Sequence, residues 1–163
     1  MIDEGRLGHY LQDHYAGSAA GIELFRRAAD QQTDPVARIT LTEMIATVED
    51  ERTALERFLA AIGAKPDPVK NAGAWLAEKI GRFKSNGELI RRSPLSDVVE
   101  LETLRLAVEG KAAGWRVLRQ LAEDDSTFDA AELDKLLSAA DDQIERLESL
   151  RMSAANRVFR QTP

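Results

Sequence analysis

Four long stretches of this chain carry apolar residues at steps of three and four, and each stripe is interrupted by polar residues near its middle. That spacing keeps residues on one face of an α-helix, so each stretch is predicted to be an amphipathic helix. The first runs from about Asp3 to Gln31, with Leu7, Leu11, His14, Ser18, Gly21, Phe25 and Ala28 on its stripe. The second starts at Asp34-Pro35, an N-cap followed by proline at the first helical position. Its stripe is Leu41, Met44/Ile45, Val48, Glu51 or Arg52, Leu55, Phe58/Leu59 and Ile62, and Gly63 is placed to stop it. The third opens at Ser93-Pro94 or Ser96 and carries Leu101, Leu104, Val108, Lys111, Trp115 and Leu118. After a turn at Glu123–Ser126 the fourth runs from about Asp129 to Phe159, through Leu133, Leu136/Leu137, Ala140, Gln143/Ile144, Leu147, Leu150, Ala154 and Val158.

The connection between the second and third helices differs in character. Asp67-Pro68 opens a short predicted helix with Ala72, Trp75, Leu76, Ile80 and Phe83 on one side, and Asn86-Gly87 ends it. Roughly 18 helical residues at ~1.5 Å each span about 27 Å, enough to carry the chain back along most of a bundle helix. The third helix is then expected to run parallel to the second. The competing arrangement is plain up-down-up-down packing with the middle helix across one end.

Counting along the chain puts the polar interruptions at one height. His14 lies about 19 residues before the turn near Thr33, so its level on the second helix falls near residue 52, beside Glu51 and Arg52. With a full crossover the same level on the third helix falls near residue 112, beside Lys111. Reflection through the turn near Ser126 then lands near Asp141, with Gln143 as the neighbouring choice. Without the crossover the level falls near Leu106 and the coincidence vanishes. The expected structural polar layer is His14, Glu51, Arg52, Lys111, Asp141 and Gln143. A buried cation without a partner is very costly, so Lys111 is expected to pair with Glu51, Glu100 or Asp141. The competing expectation is that Lys111 snorkels to the edge of the bundle.

Composition narrows the function classes. The 163 residues, 44% hydrophobic and 31% charged, suit a single domain spanning 1–163 with one long core. The formal net charge of −6 disfavours general nucleic-acid binding. With no cysteine there are no disulfides, zinc–thiolate sites or iron–sulfur clusters. No apolar run approaches the ~20 residues of a membrane span, and the acidic start MIDEGRLGHY does not read as a signal peptide. A cytoplasmic setting is the expectation.

The fold class expected is therefore all-α: a ferritin-like four-helix bundle with a long crossover, about residues 64–94, containing a short helix. Such bundles hold two metal ions with a glutamate on each of two helices and a Glu-x-x-His on each of the others. This chain has two histidines, preceded three residues earlier by Leu11 (His14) and Arg6 (His9), so the motif is missing. No cofactor is expected. If the chain is instead a divergent metal-binding or di-metal oxidase-type protein, iron or manganese would be held by His14, Glu51, Glu100 or Glu102, and Asp141. Lys111 at the same level argues against that, because its charge competes with a metal. Phosphate-loop, nucleophile-elbow and zinc-protease motifs are absent, no catalytic residue is identified, and whether the chain is an enzyme stays open.

Two further features bear on packing and partners. Gly17, Ser18, Ala19, Ala20 and Gly21 follow His14 with little side-chain volume. Glycine inside a helix costs about 1 kcal/mol against alanine, so a close-packed neighbour such as Trp75 or Trp115 is expected there, with a cavity beside His14 as the alternative. Residues 64–94 carry +4, from Lys65, Lys70, Lys79, Arg82, Lys84, Arg91 and Arg92 against Asp67, Glu78 and Glu88, while the remainder carries −10 (−6 minus +4). Either the basic crossover lies over an acidic bundle, or it docks an acidic protein or anionic ligand. Nucleic acid and membrane are not expected partners, and a homo-oligomer stays open.

The stretches DHYAGSAAGIEL, AWLAEKIGRFKSNG, SPLSDVVELETL and VEGKAAGW resemble a group of uncharacterised bacterial ferritin-like proteins, over nearly the whole chain. The residues matching that pattern are Asp13, His14, Arg52, Trp75, Lys79, Lys84, Gly87, Glu100, Glu102, Lys111 and Trp115. The resemblance implies a ferritin-like bundle of unknown biochemical activity and assigns none of these residues a catalytic role. The missing Glu-x-x-His pair sets the chain apart from true ferritins. The expected function is a non-catalytic interaction or assembly module built around a structural polar core layer.

Overall fold

The computed structural model describes residues 2–67, 93 and 95–160. Four α-helices make up the described residues: α1 Glu4–Gln31, α2 Pro35–Ala61, α3 Leu95–Leu121 and α4 Ala130–Phe159. No strand occurs among the described residues. Residues 72–83, the crossover's predicted short helix, lie outside the described residues, as do the basic positions Lys70 to Arg92.

Local chemistry sets the helix ends. Asp3, Asp34 and Asp129 each accept a backbone N–H of the first turn, from Arg6, Val36 and Ala131 respectively. α2 stops in a Schellman arrangement. Gly63 takes φ +69°, its N–H bonds the Ala60 carbonyl at 3.0 Å, and the Ala64 N–H bonds the Leu59 carbonyl at 2.9 Å. A side chain at Gly63 would be strained, so the glycine is needed for the reversal.

Pairs of residues fix the helix directions. Thr33, just before α2, donates its hydroxyl to Asp97 in the first turn of α3 at 2.6 Å. Near the other ends of the same helices, Phe58 of α2 packs edge-on against Trp115 of α3, centroids 5.9 Å apart. Start meets start and end meets end, so α2 and α3 run in the same direction. Arg157, near the end of α4, donates to Asp34 at the start of α2 at 2.7 Å, so α4 opposes them both. α1 opposes α2 and α3 and is parallel to α4. α2 therefore ends, and α3 begins, at opposite ends of the bundle. Up-down-up-down packing would have made α1 and α3 parallel and is ruled out.

The core divides along the bundle axis. One apolar cluster gathers Phe25, Leu41, Met44, Leu101, Leu104 and Leu147. The other gathers Leu11, Leu59, Trp115, Leu118, Phe128 and Leu133. Each fully buried leucine of these sets is worth about 1.5–3 kcal/mol against exposure. The two clusters meet near the middle of the helices, where the stripes turn polar.

Candidate functional site

At that junction Glu51 of α2, Lys111 of α3 and Gln143 of α4 form a closed ring. The Lys111 ammonium donates to the Glu51 carboxylate and, at 2.6 Å, to Oε1 of Gln143. The Gln143 amide Nε2 donates to the other carboxylate oxygen of Glu51 at 2.9 Å. Glu51 and Gln143 are buried, and the Glu51 side chain is 4% exposed against 18% for Lys111. Burial holds the Lys111 ammonium below its usual range, and the Glu51 carboxylate beside it pushes the other way. Pairing of charge and hydrogen bonds makes this burial tolerable.

The other residues expected in the layer lie elsewhere, each for a local reason. Ala140, Gln143 and Leu147 are the buried positions of α4 here, and Asp141 is about 100° past Ala140 around the helix. Its side chain is 66% exposed and reaches Arg116 at 3.9 Å. On α2, Glu51 faces inward and Arg52 faces the α1–α2 seam. The Arg52 guanidinium lies 3.7 Å from the centroid of the Tyr15 ring and donates to the Tyr15 carbonyl at 2.7 Å and to the Ser18 hydroxyl. Tyr15 in turn donates its hydroxyl to Glu56 at 2.8 Å. Burial and the Glu56 carboxylate raise the Tyr15 phenol above its ordinary range.

His14 is half-buried and sits one helical turn away from the ring. Its imidazole lies over Gly114, with ring atoms 3.0–3.2 Å from the place a Cβ would occupy. Tyr10 packs edge-on against it, centroids 4.7 Å apart. Burial pushes the imidazole below its ordinary range, and Asp13 opposes this weakly. The small residue facing His14 is thus on α3, and Trp115 packs with Phe58 instead. A Cβ on Gly21 would meet nothing within 4 Å, so close packing does not explain that glycine among the described residues.

Among the candidate metal ligands, Glu102 is an exposed partner of Arg151 at 3.5 Å, Glu100 is partly exposed, and Glu51 belongs to the ring. Among the described residues no group of three or more His, Asp or Glu is placed to hold a metal ion. No described helix is long and apolar enough to cross a membrane. Comparison with family models, with curated proteins and with solved structures gives no match.

Reading the stripes missed the Tyr15–Glu56 bond, the Thr33–Asp97 bond and the His14–Gly114 contact. The last had a signal: Gly114 ends Ala112-Ala113-Gly114, the one glycine beside the inward stripe of the third helix at the height of His14.

Proposed function

We propose that this chain is a ferritin-like bundle, its long crossover containing a short helix, that acts as a non-catalytic interaction or assembly module. The observation that carries this reading is the Lys111 ammonium, which fills the polar level of the core between Glu51 and Gln143. A di-metal centre needs converging anionic or neutral donors at that level, and a fixed cation there opposes a divalent ion at short range. The ring uses its one carboxylate to neutralise the lysine. The charge contrast between residues 64–94 (+4) and the rest (−10) supports docking of an acidic protein or anionic ligand on the basic segment.

The test is metal content and oxygen chemistry. Protein purified without chelator and then offered iron(II) or manganese(II) is expected to retain far less than one metal per chain and to consume no oxygen. Stoichiometric iron or manganese together with oxygen consumption overturns the proposal in favour of a divergent metal-dependent oxidase.

A further inference from the structure

The outward face of α3 is apolar where a solvated face would be charged. Leu95, Val99, Leu106, Gly110, Ala113 and Val117 are all exposed, Leu106 by 55%. Together with Glu102 they recur at steps of three and four, so they form one line along most of a 27-residue helix, over about 33 Å. The line lies between the two flanks that α3 gives its neighbours. Gly114, under His14, faces α1, while Glu102 and Arg116 reach Arg151 and Asp141 of α4. Single exposed leucines are ordinary, but an apolar line of this length marks an interaction surface.

The stripe is complementary to itself when run in reverse. In a two-fold pair one patch meets its own copy antiparallel. Full overlap of two α3 helices puts the axis at the level of Val108, the middle of the helix. Leu106 then stands opposite the partner's Gly110, and Val99 opposite the partner's Val117. A Cβ on Gly110 would meet nothing within 4 Å, so the leucine has a place to seat, and a glycine that weakens the helix gains a packing reason. Charge agrees with shape. Glu102 and Arg116 lie on the same side of the stripe, the α4 side, and antiparallel pairing brings like sides together. Glu102 comes within ~3 Å, along the axis, of the partner's Arg116. The two side chains are 56% and 55% exposed, and their ion pairs within the chain are long, at 3.5 and 3.9 Å. Glu109 would lie near the partner's Glu109, but Arg105 at 3.7 Å offsets that repulsion. A parallel pair instead sets leucine against leucine and leaves two glycines across an unfilled gap.

We propose that the outward face of α3 is a homodimer interface, on which the stripe over residues 95–117 packs antiparallel against the same stripe of a second copy. A strip one helix wide is at the small end of specific interfaces, so the association is reversible and concentration-dependent. The proposal goes beyond the module reading above and stands on α3 alone. A dimer that oxidised iron would sink that reading and leave this one intact, and a metal-free monomer would do the reverse.

Sedimentation equilibrium of the full chain, with cysteine cross-linking, tests it. Wild type is expected to exchange between monomer and dimer at roughly 10–100 μM. Leu106→Glu, outside the buried core, should keep the helix content and weaken association at least tenfold. The chain has no cysteine, so introduced ones report register without background. Under mild oxidation a mixture of Val99→Cys and Val117→Cys proteins should form a mixed disulfide dimer. Neither protein alone should cross-link, because equal positions lie ~27 Å apart along the axis of the pair. A chain still monomeric at ~1 mM overturns the proposal. If that monomer loses unfolding stability in Leu106→Glu, the stripe is covered by the chain itself, which overturns it equally. Association indifferent to Leu106→Glu places the interface elsewhere and overturns it. Cross-linking of Val99→Cys alone overturns the antiparallel pairing.

Discussion

The imidazole of His14 lies against Gly114 so closely that its ring atoms come within 3.0–3.2 Å of the missing Cβ. This contact sets the spacing of α1 and α3 one turn from the polar ring, and it gives a clean experiment. Gly114→Ala must move the ring or the helix. Overpacking of about 1–3 kcal/mol exceeds the ~1 kcal/mol of helix propensity gained, so a net loss of about 1 kcal/mol is expected in urea unfolding. In a His14→Ala background the same change should become stabilising by up to ~1 kcal/mol. Equal effects in both backgrounds would mean that the two residues do not constrain each other.

His14 also predicts a pH dependence. Burial depresses its folded pKa below the ordinary value near 6.5, so the unfolded chain takes up the proton first. Stability contributed at this site is present at neutral pH. It falls as pH drops from about 6.5 through the folded pKa, and levels off below. Subtracting the unfolding free energies of His14→Gln from those of wild type between pH 7.5 and pH 4.5 should expose this slope, since the carboxylates titrate in both proteins. A flat difference would place a solvated imidazole at this position.

Arg52 ties α1 to α2 through its stack on Tyr15 and its bonds to the Tyr15 carbonyl and the Ser18 hydroxyl. Arg52→Ala is expected to cost about 1–2 kcal/mol. Arg52→Lys should recover less than half, because an ammonium cannot hold the planar stack and the fork of bonds together. Thermal unfolding of the three proteins decides the point, and full recovery by lysine would reduce the role to charge alone.

Much of the architecture is legible in the sequence, because it rests on period and punctuation. The caps at Asp34-Pro35 and Asp129 and the stop at Gly63 place helix ends within a residue or two of those observed. Level counting places Glu51, Lys111 and, within a turn, Gln143 at one height: the short turns keep register within α1–α2 and within α3–α4, and the parallel run of α2 and α3 relates the two hairpins. What counting cannot supply is rotation about each helix. Glu51 and Arg52 are neighbours in the chain, yet one enters the core and the other stacks outside on Tyr15. Asp141 and Gln143 divide in the same way. A stripe locates the inward face only to about one residue, some 100°, and at a polar interruption there is no apolar side chain to decide it. The choice of glycine as the partner of His14 depends on helix separation, which period does not encode.

The polar level of the core rests on the Glu51–Lys111–Gln143 ring as a buried ionic network. The most direct measurement is the unfolding free energy of four proteins: wild type, Lys111→Met, Glu51→Leu, and the double variant. Lys111→Met keeps the stem of the side chain and strands the Glu51 carboxylate, so a loss of roughly 3–5 kcal/mol is expected. Glu51→Leu strands the ammonium instead, with a somewhat smaller loss because Lys111 retains some access to water. The double variant removes both charges but leaves the buried Gln143 amide without its two ring partners, so it should recover part of the loss, giving a coupling of about 2 kcal/mol. A loss below about 1 kcal/mol for Lys111→Met, with no coupling to Glu51→Leu, would mean that the lysine is solvated at the bundle edge and would contradict the account.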